Sequence, residues 1–360
     1  MATNRRDLLG QAAALAGLAV VGCGFGHAAH AQAPPPGGQR RREVVVSGKR
    51  VRTIDVHAHC HVPAALALMG QKLSREDLLV GAERIAAMDA QGIDMEALSL
   101  NPIFWYKADP DLSRQVVKVQ NEKLAETCAA HPDRFVGLAS VALQHPALAA
   151  EQLEDAVKRL GMRGTLIGGS VNGEDLSDPK FHPFWAKAEQ LGALVFIHPQ
   201  GTAELNATNR LKGAGGLDNV IGNPLETTIA LSHLIFEGTL DRFPGLKICA
   251  AHAGGYLPSY AARSDQGCVA VPARCVVALK KKPSEYLRDL YYDSMVFTSE
   301  GLRHLIAEVG VGRIVMGTDY PFPWTKTAVD HILNTPGLSD ADRAAMLGET
   351  AAKLLGIKPA

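Results

Sequence analysis

The run Thr53-Ile54-Asp55-Val56-His57-Ala58-His59 constrains this chain more than any other stretch, because a short apolar segment ends there in two histidines one residue apart. Alternate side chains of a β-strand share a face, so His57 and His59 point the same way and are spaced to hold one metal ion. A strand this apolar belongs in a sheet that is covered on both sides.

Downstream, runs of β character alternate with segments of helical spacing. The expected strands are 53–59, 95–100, 134–143, 163–168, 193–198, 246–252, 291–295 and 313–319, and the expected helices include 75–91, 112–130, 147–160, 181–191 and 223–243. Eight such units predict an α/β chain folded as a (β/α)8 TIM-like barrel of the metal-dependent hydrolase type. A doubly wound open sheet is the alternative. The barrel is preferred because polar residues collect at several strand ends in turn, whereas an open sheet gathers them at one switch point.

Those strand ends carry the chemistry. The first supplies His57 and His59, the fifth ends in His198-Pro199, the sixth in His252-Ala253-Gly254-Gly255 and the eighth in Thr318-Asp319-Tyr320-Pro321. In a barrel all five side chains converge on one mouth. Three neutral imidazoles and a carboxylate suit zinc, although another divalent metal fits the same donors. The fourth strand ends Gly168-Gly169-Ser170 and offers no Lys, Glu or Cys to bridge a second ion, so one ion is expected. Asp293 ends the seventh strand and is expected to hydrogen-bond within the mouth.

The N-terminus reads as a targeting segment. Arg5-Arg6 precede an Ala/Leu/Val-rich run too short for a membrane span, which predicts a twin-arginine signal peptide over 1–31 and a periplasmic protein. A lipoprotein anchored at Cys23 is the competing reading. The Pro/Gly/Arg-rich stretch 32–50 is expected to be a tether, with the barrel domain over 51–360. In an oxidising compartment Cys268 and Cys275 stand close enough in sequence to pair. Net charge is zero over 360 residues, which argues against a nucleic-acid partner.

From Ile54 to about Ile357 the chain resembles the amidohydrolase superfamily, in the branch of α-amino-β-carboxymuconate-ε-semialdehyde decarboxylase. The likeness is carried by His57-Ala58-His59, Arg84-Ile85-Ala86-Ala87-Met88-Asp89, Arg134-Phe135-Val136-Gly137-Leu138, Pro224-Leu225-Glu226-Thr227-Thr228 and Gly317-Thr318-Asp319-Tyr320-Pro321-Phe322-Pro323. It implies a zinc ion on His57, His59, His198 and Asp319, with His252 as the acid/base. It also implies that Arg84 and Arg263 bind a substrate carboxylate, the second across a homodimer interface. The expected reaction is decarboxylation of a small aromatic or unsaturated carboxylic acid. The alternative is hydrolysis of a lactone, ester or amide, in which His252 or Asp319 would protonate the leaving group. One departure bears on substrate: the family enzyme has a Trp soon after the fifth-strand His-Pro, where this chain has Gln200-Gly201-Thr202.

Overall fold

The computed structural model describes residues 40–100, 104–202 and 207–358. The expected signal peptide over 1–31, with Arg5, Arg6 and Cys23, lies outside the described residues, as do most of the Pro/Gly stretch and Asn101-Pro102-Ile103.

Eight parallel strands form one sheet: β1 (Ile54–Cys60), β2 (Met95–Leu100), β3 (Phe135–Ala139), β4 (Gly164–Ile167), β5 (Leu194–Ile197), β6 (Lys247–Ala250), β7 (Tyr291–Asp293) and β8 (Ile314–Val315). Each pairs with its neighbours in chain order. The sheet closes where Val56 N donates to Met316 O at 2.9 Å and Asp319 N to His57 O at 2.8 Å. The result is the (β/α)8 barrel that the alternation predicts.

Helices follow the strands in turn: α1 (Ala82–Gln91), α2 (Pro110–Ala130), α3 (Pro146–Lys158), α4 (His182–Leu191), α5 (Asn223–Phe236), α6 (Ala261–Ala270), α7 (Ser299–Val309) and α8 (Ala328–Asn334). Their starts are chemically marked. Asp109 caps α2 by accepting from Leu112 N at 2.9 Å ahead of Pro110, and Thr298 caps α7 by accepting from Gly301 N at 3.0 Å. No helix among the described residues is long and apolar enough to cross a membrane.

Two apolar layers hold the barrel. Ile54, Val56, Leu138, Phe196, Cys249 and Val315 fill its interior, while a larger layer that includes Met88, Phe135, Trp185 and Leu234 seals the strands to the helices. Strand β1 carries an extra residue relative to β2, since Asp55 pairs with Glu96 but Ala58 with Leu98. That bulge moves the inward face by one position, so Ile54 and Val56 pack the interior while His57 and His59 both face the mouth.

Two expectations need correction. The tether ends earlier than position 50, because Val45–Val46 and Lys49–Arg50 pair as an antiparallel hairpin with Val44 and Val46 buried. Arg41 bonds Asp94 and Arg42 bonds Asp330, which ties this segment to the barrel. The helix expected from position 75 begins only at Ala82. A short 3₁₀ turn, Glu76–Leu78, precedes it and leaves Arg75 on the loop above β1.

Candidate metal centre

The barrel mouth gathers residues from strands far apart in sequence. Ligand atoms of His57, His59, His198 and Asp319 all lie within 4.8 Å of one another, on side chains that are buried. His57 Nε2 and His59 Nε2 are 3.1 Å apart, and Asp319 Oδ1 lies 3.1 Å from the first and 3.0 Å from the second. The ring of His198 stands 4.8 Å from that of His59, centre to centre.

The outer nitrogen of each imidazole is held in place. His57 Nδ1 donates to Asp293 Oδ2 at 2.7 Å and His198 Nδ1 to Pro199 O at 2.7 Å, while Ser99 Oγ lies 3.1 Å from His59 Nδ1. A carboxylate and a carbonyl can only accept, so the neutral rings of His57 and His198 keep their proton on Nδ1 and leave the Nε2 lone pair for a ligand. His198 Nε2 is buried with no hydrogen-bond partner. Buried lone pairs without donors are costly, and a divalent cation is the partner that satisfies three nitrogens and a carboxylate at once. The residues present therefore fit a single metal ion.

Charge follows the same geometry. Burial works against a charge on His57, yet Asp319 and Asp293 outweigh it and raise its pKa to about 10. Burial lowers His59 to about 4 and holds His198 well below the usual imidazole range. Asp319 stays ionised, because the surrounding imidazoles overcome its burial and keep its pKa well below the carboxylate range. Asp293 is also held low despite complete burial, through its hydrogen bond and charge attraction to His57, its charge attraction to His252 and the Ala253 backbone N–H at 2.8 Å; the His252 backbone N–H also donates to it at 2.8 Å.

His252 stands apart from the four. Its backbone enters the left-handed region at φ 52°. The following Gly255 is required at φ 66°, because a Cβ there would come 2.0 Å from Pro224 O. The imidazole thus turns over the mouth, with Nε2 3.8 Å from Asp319 Oδ2 and its side chain 17% exposed against 0% for His57. It lines a cleft of about 390 Å3 that opens to solvent. Gly317 gives the centre its room, since a Cβ at that position would sit 3.0 Å from the Cβ of His57 and 2.8 Å from that of Asp293.

The expected arginines do not join this group. Arg84 is buried on the outer side of the strand wall, where Nε bonds Glu96 Oε2 at 2.6 Å, Nη1 bonds His59 O at 2.6 Å and the guanidinium lies 4.6 Å above the Tyr320 ring. Met95 and Ala97 face the interior, so Glu96 and its partner must face the helices. Arg84 is thereby committed to holding β1, and no carboxylate in the mouth reaches it. Arg263 is exposed on α6, in a surface hollow with Phe236, Tyr260 and Ser264 that includes none of the five site residues.

A cation that the sequence reading missed lies closer. Arg75 stacks 4.9 Å over Phe322, whose ring is 5.9 Å from that of His59, and Nη2 donates to Pro321 O at 3.1 Å. Helical spacing over 75–91 absorbed this residue into a helix; the nonhelical run before Gly81 was the available signal. Asp293 does hydrogen-bond within the mouth, as expected. Phe104 and Tyr106 stack at 5.2 Å, and the buried Tyr106 hydroxyl accepts from Gly168 N at 3.0 Å, so they pack the wall.

A family model for amidohydrolases matches residues 54–357. The chain is 33% identical over 278 residues to 2-amino-3-carboxymuconate-6-semialdehyde decarboxylase of Dictyostelium discoideum, covering 77% of this chain and 76% of that protein. Its fold matches 5-carboxyvanillate decarboxylase from Sphingomonas paucimobilis with a TM-score of 0.78 at 28% identity, over 86% of this chain and 100% of the other. It also matches a dihydroxybenzoic acid decarboxylase from Polaromonas sp. JS666, solved with bound manganese and the inhibitor 2-nitroresorcinol. That match has a TM-score of 0.76 at 27% identity, over 86% and 98% of the two chains.

Proposed function

This chain belongs to the amidohydrolase family, and on that footing we propose that it is a metal-dependent decarboxylase of a small aromatic carboxylic acid. The observation that carries the reading is the buried cluster of lone pairs at the barrel mouth, open on one side to a cleft that His252 lines. His57, His59, His198 and Asp319 would hold one ion. Zinc is the metal we favour on donor chemistry, and the manganese in the Polaromonas relative makes that ion the direct competitor. Bound there, the ion supplies Lewis acidity next to the substrate.

The chain's own residues do the rest. Arg75, stacked on Phe322 beside His59, is the cation at hand to orient the substrate carboxylate; Asp77 releases it in exchange. The bond from ring carbon to carboxyl carbon breaks heterolytically, and carbon dioxide leaves without the bonding pair. His252, with its backbone N–H donated to Asp293, gives its proton to that ring carbon and recovers one from solvent. Asp319, held well below the carboxylate range, serves as an anionic ligand and is a poor proton donor.

Export and assembly belong to the same reading. Arg5-Arg6 with the run after them supports passage by the twin-arginine route to the periplasm, and the Cys268–Cys275 disulfide suits that oxidising compartment. A homodimer is supported by the exposed Tyr260 and Val271 beside Arg263.

The test is a screen of hydroxylated aromatic acids alongside lactones and esters, scoring carbon dioxide separately from acid. Carbon dioxide release that falls by about 100-fold or more in His252→Asn, with metal content unchanged, is the expected result. Acid release without carbon dioxide would make the protein a hydrolase.

A further inference from the structure

Asp293, at the end of β7, is wholly buried and has no chemical step of its own in the reading above, yet its two oxygens accept four hydrogen bonds. Oδ2 accepts from His57 Nδ1 at 2.7 Å and from His252 N at 2.8 Å, while Oδ1 accepts from Ala253 N at 2.8 Å and from Met295 N at 3.2 Å. One carboxylate therefore grips both a ring of the metal cluster and the backbone beneath the acid/base.

That backbone needs a restraint. His252, Ala253, Gly254 and Gly255 follow one another with φ of 52°, 56°, 76° and 66°. Glycine adopts such angles readily, whereas His252 and Ala253 carry a Cβ and hold them only where the surroundings over-determine them. The His252 ring supplies no restraint through Nδ1, which is buried with no partner. Gly254 N and Gly255 N close the turn on Ala251 O and His252 O, which leaves the N–H groups of His252 and Ala253 to Asp293. Two successive N–H groups turned onto one buried carboxylate form the kind of backbone concavity that holds an anion.

We propose that Asp293 is a positioning residue that couples the metal centre to the acid/base, by fixing the His57 ring and the left-handed turn that carries His252 through one side chain. The acid/base role of His252 rests on the decarboxylase reading; the hold on the turn does not. Asparagine separates the possibilities. It has the same size but one accepting oxygen instead of two, so its NH2 group must face two of the four donors. With the oxygen toward Ala253, His57 either loses its bond or accepts at Nδ1 and carries its proton on Nε2, where the metal would bind. With the oxygen toward His57, the Ala253 N–H meets a donor and the turn is released.

Wild type and Asp293→Asn are compared at saturating manganese by amide exchange over residues 252–255, read by mass spectrometry with α3 as the internal reference. Exchange over 252–255 should be about tenfold or more faster in the variant, with α3 unchanged. Manganese Kd, measured by calorimetry, should weaken by about 10–100-fold, and kcat on any acid the wild type turns over should stay reduced even when manganese is saturating. In Ser99→Ala, which removes the partner of His59 Nδ1 and touches neither His57 nor the turn, exchange over 252–255 should match the wild type. Unchanged exchange in Asp293→Asn would overturn the proposal. So would an equal rise in α3, a rise over 252–255 in Ser99→Ala, or a kcat fully restored by manganese. Carbon dioxide release by the wild type with an unmoved turn in the variant removes the proposal alone, whereas a loosened turn with no carbon dioxide from any acid removes the decarboxylase reading and leaves the hold of Asp293 on the turn standing.

Discussion

At the scale of single residues, the site depends on which nitrogens carry protons. Without a cation, Asp319 and Asp293 keep His57 protonated up to about pH 10, while His59, lowered to about 4, and His198, held well below the usual imidazole range by burial, are neutral at pH 7.5. The sign is fixed by the raised group: below its pKa a proton must leave before His57 can bind metal, so affinity rises with pH until that pKa is passed. Metal uptake at pH 7.5 should therefore release about one proton per chain, read by calorimetry in buffers of different ionisation heat. Release of two or three protons would mean that His59 or His198 is also protonated before the metal binds, against this account. All five of these side chains were legible in the sequence, because strand alternation and strand-end position suffice to aim them. Arg84 was not, since spacing along a helix does not say which side of the strand wall its side chain meets. The same ambiguity hid Arg75.

At the scale of elements, the clamp around β1 shows what the misread arginine does. Arg84 and Glu96 form an ion pair with both side chains 1% exposed, and Arg84 also holds the carbonyl of His59 from behind. Removing one partner of a buried pair strands the other's charge, whereas replacing both with apolar groups of similar size removes the problem. Arg84→Met should thus lower stability to urea by about 3–5 kcal/mol, and Arg84→Met with Glu96→Leu should recover most of the loss. A single substitution that costs nothing would deny the clamp. The strand order and the helix on each crossover were readable from the alternation of apolar runs. The bulge between Asp55 and Ala58 was not, because a one-residue shift in pairing leaves no mark in composition. Nor was the hairpin over 45–50, where two buried valines next to a basic run make too short a pattern to stand out.

At the scale of the whole molecule, the barrel brings together positions that the sequence separates by more than two hundred residues, as with His57 and Asp293. The proposed export adds a second constraint, because a chain moved by the twin-arginine route is moved folded. Changing Arg5 and Arg6 to lysines should leave uncleaved precursor in the cytoplasm on fractionation, and normal export would point to another route. The central claim is that four side chains from β1 and the ends of β5 and β8 hold one cation under His252. Anomalous diffraction from crystals of the metal-loaded protein tests it directly. The account predicts a single peak per chain, bonded to His57, His59, His198 and Asp319; two peaks, or one bonded elsewhere, would contradict it.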